Sequence, residues 1–596
     1  MLSLPTSYDQ VAILAIVIGF FALLAWGRFR YDLLAFATLI ITVVLGLVPA
    51  TEAFMGFGHP ATITVALVLI LSRALAESGA IDPLTRAISP LTGHTSTHVA
   101  GLAGSGALLS GFMNNVGALG LLMPVALQSA LKAKRPGSLL LMPLSFGCIL
   151  GGLVTLIGTP PNIIVASIRA DVLGESFQMF DYTPVGGAVA LVGLVFLAVV
   201  GWRLVPARQN GSAEQLFDLG DYVTEIQVVE GSKAVDGTIT ELAELTKDVD
   251  AEVVGLLRQG RRLPRLQRRE VLQIGDLLLI EAAASEIEKF VKATGFKLAE
   301  DRGKAEELLR SGEGEILEAA VPPDCPVVGR SLGQLRLSAR HNLVAIGLAR
   351  QGKPYHGRLR DLRLQAGDIL LLHGERDHLA EGLKALGLLP LAERGLSYGL
   401  RDGAWWIVGC FAAAIAIAST GVLPAAVTFG GAIAVLVFGG RLPLRQVYAA
   451  IDWPVIVLLG ALIPVGSALQ TTGATDTIVD GIQWMTQGWP AAAVLTLILV
   501  VTMTVSDVLN NAATAVIMAP ISLILADRMA VNPDAFLMAV AVGASCAFLT
   551  PIGHQNNALI LGPGGYRFGD YWRLGLPLEI LVVGVAVPMI LLVWPL

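Results

Sequence analysis

Charge is what this chain of 596 residues has least of: Asp, Glu, Lys and Arg make up 15% of it against 54% hydrophobic residues, and the mean hydropathy is +0.69. That composition excludes a soluble enzyme and leaves a polytopic membrane protein. Neither sign dominates, the formal net charge being −6, so no basic field exists to hold nucleic acid. Four scattered cysteines, Cys148, Cys325, Cys410 and Cys546, make neither a disulfide framework nor a zinc site. No Ser-His-Asp set or metal-ligand spacing occurs in the apolar parts, so no catalytic residue is expected. The charge that is present gathers between residues 206 and 397, which reads as a soluble insert between two membrane halves.

A crossing needs about 20 apolar residues, and such stretches begin near Val11, Leu33, Ala61, Leu139, Val185, Trp405, Leu423, Val455, Phe536 and Leu574. Two further segments, 99–131 and 491–526, carry an Asn-Asn pair halfway along. A plain crossing would leave those amides in hydrocarbon, so each segment is expected to be a re-entrant hairpin. The first stretch lacks the charged start and cleavage site of a signal peptide and is expected to be a mature crossing. Basic residues cluster at Arg28 and Arg30, Arg73 and Arg86, Lys132 to Arg135, and Arg203 and Arg208. The positive-inside rule makes these cytoplasmic. Alternation from there places the insert in the cytoplasm and both termini outside a cell (inner) membrane.

The halves align with each other at an offset of about 395 residues. Asn114-Asn115 with Pro124 matches Asn510-Asn511 with Pro520, and Thr155-x-Ile157-Gly158-x-x-x-Asn162 matches Thr550-x-Ile552-Gly553-x-x-x-Asn557. With about five crossings and one hairpin per half, the second copy sits upside down, the inverted-repeat design of secondary transporters. Gly158-Thr159-Pro160-Pro161-Asn162 and Gly553-His554-Gln555-Asn556-Asn557 interrupt crossings at the same depth. Breaking a helix there frees carbonyls for a cation and amides for an anion. An Asn pair also serves as glue between membrane helices, but its recurrence at one spacing from a proline favours a site. His554 reads either as a proton-coupling group or as a satisfied polar residue. Arg73 and Glu77 lie near a helix end and read as snorkelling.

At these motifs the membrane halves resemble the divalent anion/sodium symporter family, which moves dicarboxylates, citrate or sulfate. Asn114-Asn115-Val116-Gly117 to Pro124 is similar to that family's Ser-Asn-Thr hairpin tip, Asn510-Asn511-Ala512 to Pro520 to its second copy, and the Gly158 to Asn162 break matches as it stands. The resemblance implies a sodium ion around Asn114, Asn115 and Gly158, a second around Asn510, Asn511 and Gly553, and an anion between the tips. The substrate contacts it carries over are Asn114, Asn115, Val116, Thr159, Asn510, Asn511, Ala512 and His554. It also implies a homodimer working as an elevator. Val116 and Ala512 stand where the family has a hydroxyl-bearing Thr, and losing two hydroxyls favours a compact oxyanion such as sulfate. The tail from Gly562 to Phe568 resembles the branch with a soluble insert, which includes sulfate permeases.

The insert repeats at an offset of 92: Val254 to Gly260 matches Ile346 to Gly352, and Gly275-Asp276 matches Gly367-Asp368. Each copy reads as strand, helix, strands around a Gly-Asp turn, then helix, a small α+β sandwich. Two such units resemble the TrkA-C ligand-binding domain of potassium-conductance regulators, which implies pairing and, in some members, a ligand such as cyclic di-AMP. Arg258, Arg261, Arg262, Arg265, Arg268 and Arg269 form a basic run that reads either as a phosphate contact or as a solvated hairpin. The expected domains are a first membrane repeat over 1–205, α+β units over 206–300 and 301–397, and a second, inverted repeat over 398–596. The expected function is a sodium-coupled symporter of a divalent oxyanion, with a dicarboxylate or citrate symporter as the alternative. A ligand-gated channel is the rival from another class, but no Thr-Val-Gly-Tyr-Gly filter occurs.

Overall fold

Asparagine and proline punctuate the apolar chain into helices in the computed structural model, which describes residues 7–26, 29–79, 92–208, 223–246, 249, 251–258, 261–262, 270–282, 284–298, 315–322, 325–335, 337–350, 353–355, 361–374, 376–391 and 404–596. Contacts divide the chain into two compact units. One comprises Met1–Ala207, Gly395–Ala558 and Arg567–Leu596, and the other Arg208–Arg394 with Leu559–Tyr566.

In the first unit the N-terminal half runs Ser7–Trp26, Tyr31–Val44, Pro60–Glu77, a hairpin of Thr95–Ser110 and Asn115–Lys132, a broken pair Ser138–Gly152 and Pro160–Leu173, then Thr183–Phe196. The C-terminal half repeats the order with Ala404–Ser419, Ala425–Phe438, Trp453–Thr471, the hairpin Ala491–Val508 and Asn511–Arg528, the pair Pro533–Ser545 and Gln555–Leu561, and Tyr571–Val593. Every apolar stretch anticipated from sequence falls on a helix. Leu444–Ala449 and Ala474–Met485 are additional short helices that run length does not reveal. Helix starts carry the expected caps: the side chains of Asn114, Asn510 and Asn532 accept from the amides of Val116, Ala512 and Asp534, which satisfies one of the orphan N–H groups at each start. Gly174, at φ +85°, closes Pro160–Leu173 in a left-handed conformation that glycine adopts without strain.

Tyr571–Val593 buries a stripe of Leu574, Leu578, Val582, Ala586 and Ile590, yet its other face is also apolar, with Ile580 and Leu592 exposed. A helix that is hydrophobic all round belongs in lipid. Close crossings knit the first half together. Along Thr95–Ser110 and Ser138–Gly152, a Cβ on Gly147 would meet the Ala103 backbone at 2.7–2.9 Å, and one on Gly151 would overlap the Ala107 backbone, so small residues four apart let the two backbones touch. Arg169 holds the two halves together, its guanidinium donating to both oxygens of Asp534 at 2.7 and 3.0 Å.

The second unit contains two five-stranded antiparallel sheets. Strands β1 (Val223–Gln227), β2 (Ala251–Arg258), β3 (Arg261–Arg262), β4 (Leu277–Ala282) and β5 (Lys297–Leu298) lie in the order β3-β2-β4-β1-β5. Strands β6 (Glu315–Ala320), β7 (Val344–Arg350), β8 (Lys353–Pro354), β9 (Ile369–Gly374) and β10 (Leu389–Pro390) repeat it as β10-β6-β9-β7-β8. Each sheet has its own apolar core. The edge strands β5 and β10, after the last helix of each copy, were not evident from sequence. At the end of β2, Arg258 donates to both oxygens of Asp276 at 3.0 and 2.8 Å; Arg350 does the same to Asp368 at 2.7 and 2.8 Å. Arg258 also bonds Glu270, where the second copy has Leu362. The side chains of Arg261 and Arg262, and all of Arg265, Arg268 and Arg269, lie outside the described residues.

Candidate functional site

Each half builds a hairpin tip from a Ser, a turn and an Asn pair. Ser110 bonds the Asn115 amide across the first tip, and Ser506 lies 3.0 Å from the Asn511 amide across the second. Asn114 and Asn510 are the caps of the helices that follow, so the amides of Val116 and Ala512 point at those caps. Asn115 and Ala512 are buried, whereas Asn114, Val116, Asn510 and Asn511 are half-buried.

Each break is locked to its own tip. Thr155 donates to the carbonyl of Gly111, and Thr550 donates to that of Asp507 at 2.5 Å. Asn162 donates through Nδ2 to the carbonyls of Thr155 (2.8 Å) and Gly152 (3.4 Å), and Asn557 to those of Thr550 (3.1 Å) and Ala547 (3.0 Å). The backbones of both breaks are thereby held by side-chain amides where the helix ladder is interrupted. Tyrosine hydroxyls finish the arrangement, Tyr182 donating to the carbonyl of Asn162 at 2.8 Å and Tyr571 to that of Asn557 at 2.7 Å. Gly158 and Gly553 are glycines because backbone passes against them: a Cβ on Gly158 would lie 2.5 Å from the Gly152 carbonyl oxygen, and one on Gly553 2.7 Å from Asp507 Cα.

The halves meet where the first tip touches the second break. His554 Nε2 lies 3.2 Å from the Asn115 amide, Asn556 Nδ2 donates to the Asn115 carbonyl at 3.3 Å, and Ser145 donates to Asn557 Oδ1 at 3.0 Å. His554 Nδ1 accepts from the backbone N–H of Asn556 at 3.1 Å, so the ring is neutral with its proton on Nε2. That proton requires the oxygen end of the Asn115 amide toward the ring and the nitrogen end toward Ser110; amide orientation is assigned by such proton counts. At the second tip Ser506 gives its proton to the Ala544 carbonyl at 2.6 Å, so it too receives an amide N–H from its Asn. Thr159 is buried at the N-cap of Pro160–Leu173.

Two buried amide oxygens, Asn162 Oδ1 and Asn556 Oδ1, find no donor among the described residues. Acceptor oxygens without donors suit a hard cation. The starts of Asn115–Lys132, Pro160–Leu173 and Asn511–Arg528 lie at the tips and the first break, and helix starts favour an anion. Sequence reasoning placed Asn556 in the second break without giving it a partner; it missed Ser110, Ser506, Tyr182 and Tyr571, and it missed two buried acids, Asp507 and Glu579. The available signal for the acids was a lone carboxylate inside each of two otherwise apolar runs.

The sequence pattern of the citrate transporter family matches residues 21–523 and 492–596 of this chain. An uncharacterized transporter from Synechocystis sp. is 30% identical over 98% of this chain and 97% of its own length. The uncharacterized transporter YfbS of Escherichia coli is 29% identical over 98% of this chain and 99% of its own. Sodium/sulfate cotransporter 1 of Chlamydomonas reinhardtii is 25% identical over 55% of this chain and 39% of its own. With the family pattern spanning both halves and transporters matching along the whole length, the chain belongs to the citrate transporter family and is a polytopic membrane transporter, not an enzyme.

Proposed function

We propose that this transporter is a sodium-coupled symporter of a divalent oxyanion, sulfate in preference to a dicarboxylate, with the α+β insert as a cytoplasmic regulatory module. The observation that carries the reading is the bonded meeting of the first tip with the second break, through Asn115, His554 and Asn556. One sodium ion is assigned to oxygens around Asn114, Asn115 and Gly158, with Asn162 Oδ1 as a donor-free ligand; the second is assigned to Asn510, Asn511 and Gly553. The anion lies between the tips, facing helix starts and side-chain amides, with Thr159 and His554 beside it. Apolar Val116 and Ala512 offer it no hydroxyl, which favours a compact oxyanion over a long dicarboxylate. The names of the Chlamydomonas relatives support sodium and sulfate. The family's own description favours a second reading, citrate or another carboxylate as substrate.

The cycle we assign is a rigid movement of hairpins and broken helices within a homodimer. Arg258 is already bonded to Asp276 and Glu270 of its own α+β copy, so no nucleotide ligand is assigned to the insert. Uptake of labelled sulfate, citrate and succinate into proteoliposomes, with and without a sodium gradient, tests the proposal. Sodium-stimulated sulfate uptake is expected; stimulation of citrate alone selects the second reading, and no response of any substrate to sodium or to pH defeats both.

A further inference from the structure

The second break ends differently from the first. Its helix, Gln555–Leu561, has 7 residues, whereas Pro160–Leu173 has 14 and closes at Gly174, where a Cβ would meet nothing within 4 Å. At the repeat offset Gly562 stands where the first half has Ser167, in mid-helix. What stops the shorter helix is the run Gly562-Pro563-Gly564-Gly565, the two residue types least compatible with a helix. A glycine-rich connection normally lies at the surface, yet Gly562 to Tyr566 are all buried, and Leu559, Ile560 and Tyr566 are fully so. The segment Leu559–Tyr566 forms one compact unit with Arg208–Arg394.

Within that unit the contact is backbone on backbone. A Cβ on Gly562 would overlap the carbonyl oxygen of Gly367 and lie 2.8 Å from its carbonyl carbon and 3.4 Å from its Cα, an approach that only glycine permits. The N–H groups of Gly564, Gly565 and Tyr566 donate to the carbonyls of Ile560, Gly562 and Leu561 at 2.8, 2.9 and 3.0 Å, and the Tyr566 ring folds back where a Cβ on Gly564 would overlap it. The segment is therefore a hard knob. Gly367 is held as firmly: its N–H donates to the Val321 carbonyl at 2.8 Å, and Val321 N–H donates to the Asp368 carbonyl at 2.8 Å. The buried Asp368 carboxylate takes Arg350 and the Gln365 N–H.

The first α+β copy supplies the comparison. Gly275 makes the same turn, at φ +90° against +84° for Gly367. Gly275 is nevertheless exposed, a Cβ on it would meet nothing within 4 Å among the described residues, and its neighbour Ile274 is 58% exposed. In the second copy that neighbour is Ala366, and Gly367 is buried. Covering the turn is thus no requirement of the α+β fold.

We infer that Gly562 and Gly367 are positioning residues for the second break: the second α+β copy grips the end of Gln555–Leu561 and so sets Asn556 and Asn557 at its start. From Gly562 to Asn556 is about 9 Å along a helix. Asn556 donates to the Asn115 carbonyl, and Asn557 holds the carbonyls of Thr550 and Ala547. A helix this short has no joint across that span, so a displacement at the grip reaches the break. Pro160–Leu173 runs on past the equivalent position, and the insert acts on one half of the repeat alone. The effect on sodium rests on the symporter reading, whereas the grip itself does not.

Hydrogen–deuterium exchange of the purified full-length protein tests the grip. Gly562→Val drives a side chain into the Gly367 carbonyl from one side, and Ala366→Glu sets a charge beside Gly367 from the other; Ile274→Glu makes the same change in the first copy as a control. Peptides covering 559–566 and 553–558 should exchange about tenfold faster or more in the first two variants, with β6 and β9 as in wild type, and Ile274→Glu should match wild type at both peptides. Should Ala366→Glu open β6 and β9, Gly562→Val alone decides. Wild-type exchange at 559–566 in both variants overturns the grip, and faster exchange there with 553–558 unchanged overturns the positioning. Sodium titration of uptake supplies a readout that loss of folded protein does not move. Ala366→Glu should raise the half-saturating sodium concentration about fivefold or more, with the maximal rate kept within about twofold. A lower maximal rate at unchanged half-saturation overturns the action on the second site. Wild-type uptake indifferent to sodium, with the exchange differences present, defeats the symporter reading alone.

Discussion

A double-mutant cycle between Asn115 and His554 measures the contact that joins the first tip to the second break. The Asn115 side chain serves Ser110 and His554, both buried, so Asn115→Ala leaves two buried polar groups unpaired, at about 1–3 kcal/mol each. His554→Ala removes one of the same bonds and the acceptor of the Asn556 backbone N–H. In the double variant neither orphan from the shared bond survives, so the coupling energy should be about 1–3 kcal/mol. Asn511→Ala is the internal control. Its Ser506 keeps the Ala544 carbonyl as acceptor and Asn511 is half-buried, so the cost should be about 1 kcal/mol or less. Equilibrium unfolding in detergent micelles, followed through the nine native tryptophans, reads all of these without a label. Additivity of Asn115→Ala and His554→Ala within about 0.5 kcal/mol, or equal losses for Asn115→Ala and Asn511→Ala, would refute the proton count at the tip.

Three further outcomes follow from features of the fold. Gly553→Ala forces a Cβ to 2.7–2.8 Å from the Asp507 backbone, which cannot give as a side chain can; a loss of about 1–3 kcal/mol and of uptake is expected, while Gly409→Ala, with nothing within 4 Å, should be neutral in both assays. Arg350→Ala strands the fully buried carboxylate of Asp368, at a cost of about 3–5 kcal/mol, and thermal unfolding with limited proteolysis of the insert should show it, with Arg350→Ala/Asp368→Asn partly restored. Burial pushes the Glu318 carboxyl up from 4.5 to about 7. The folded sheet therefore prefers the neutral acid, and its stability falls as pH rises from 4.5 to about 7 and is flat above; Glu318→Gln should abolish that slope in unfolding midpoints measured across the range.

The tips and breaks were legible because a repeat constrains sequence twice. Thr155 and Thr550, or Asn162 and Asn557, stand at one offset because each pair holds the same backbone atoms in its own half. The tyrosines escaped notice for a geometric reason: Tyr571 follows Tyr182 by 389 residues rather than 395, so two hydroxyls doing one job fall out of register. Asp507 and Glu579 escaped because they have no copy, and symmetry cannot point to what occurs once. Ser110 and Ser506 are small polar residues in apolar helices, a setting where a bond to the preceding turn is the default. In the insert, the Gly-Asp turn was legible, but its function as the seat of an Arg–Asp ion pair with a buried carboxylate required the strand register that sets Arg258 and Arg350 beside it.

The crossing of Thr95–Ser110 with Ser138–Gly152 has a mechanical consequence. Where backbone rests on backbone, at Ala103 against Gly147 and Ala107 against Gly151, no side-chain torsion is available to take up strain. Sliding by one residue would drive a Cβ into a carbonyl. The pair is therefore a stiff girder, and it forces deformation elsewhere. The places that can yield are the polar joints at the breaks, whose hydrogen bonds can be exchanged one for another without opening a void.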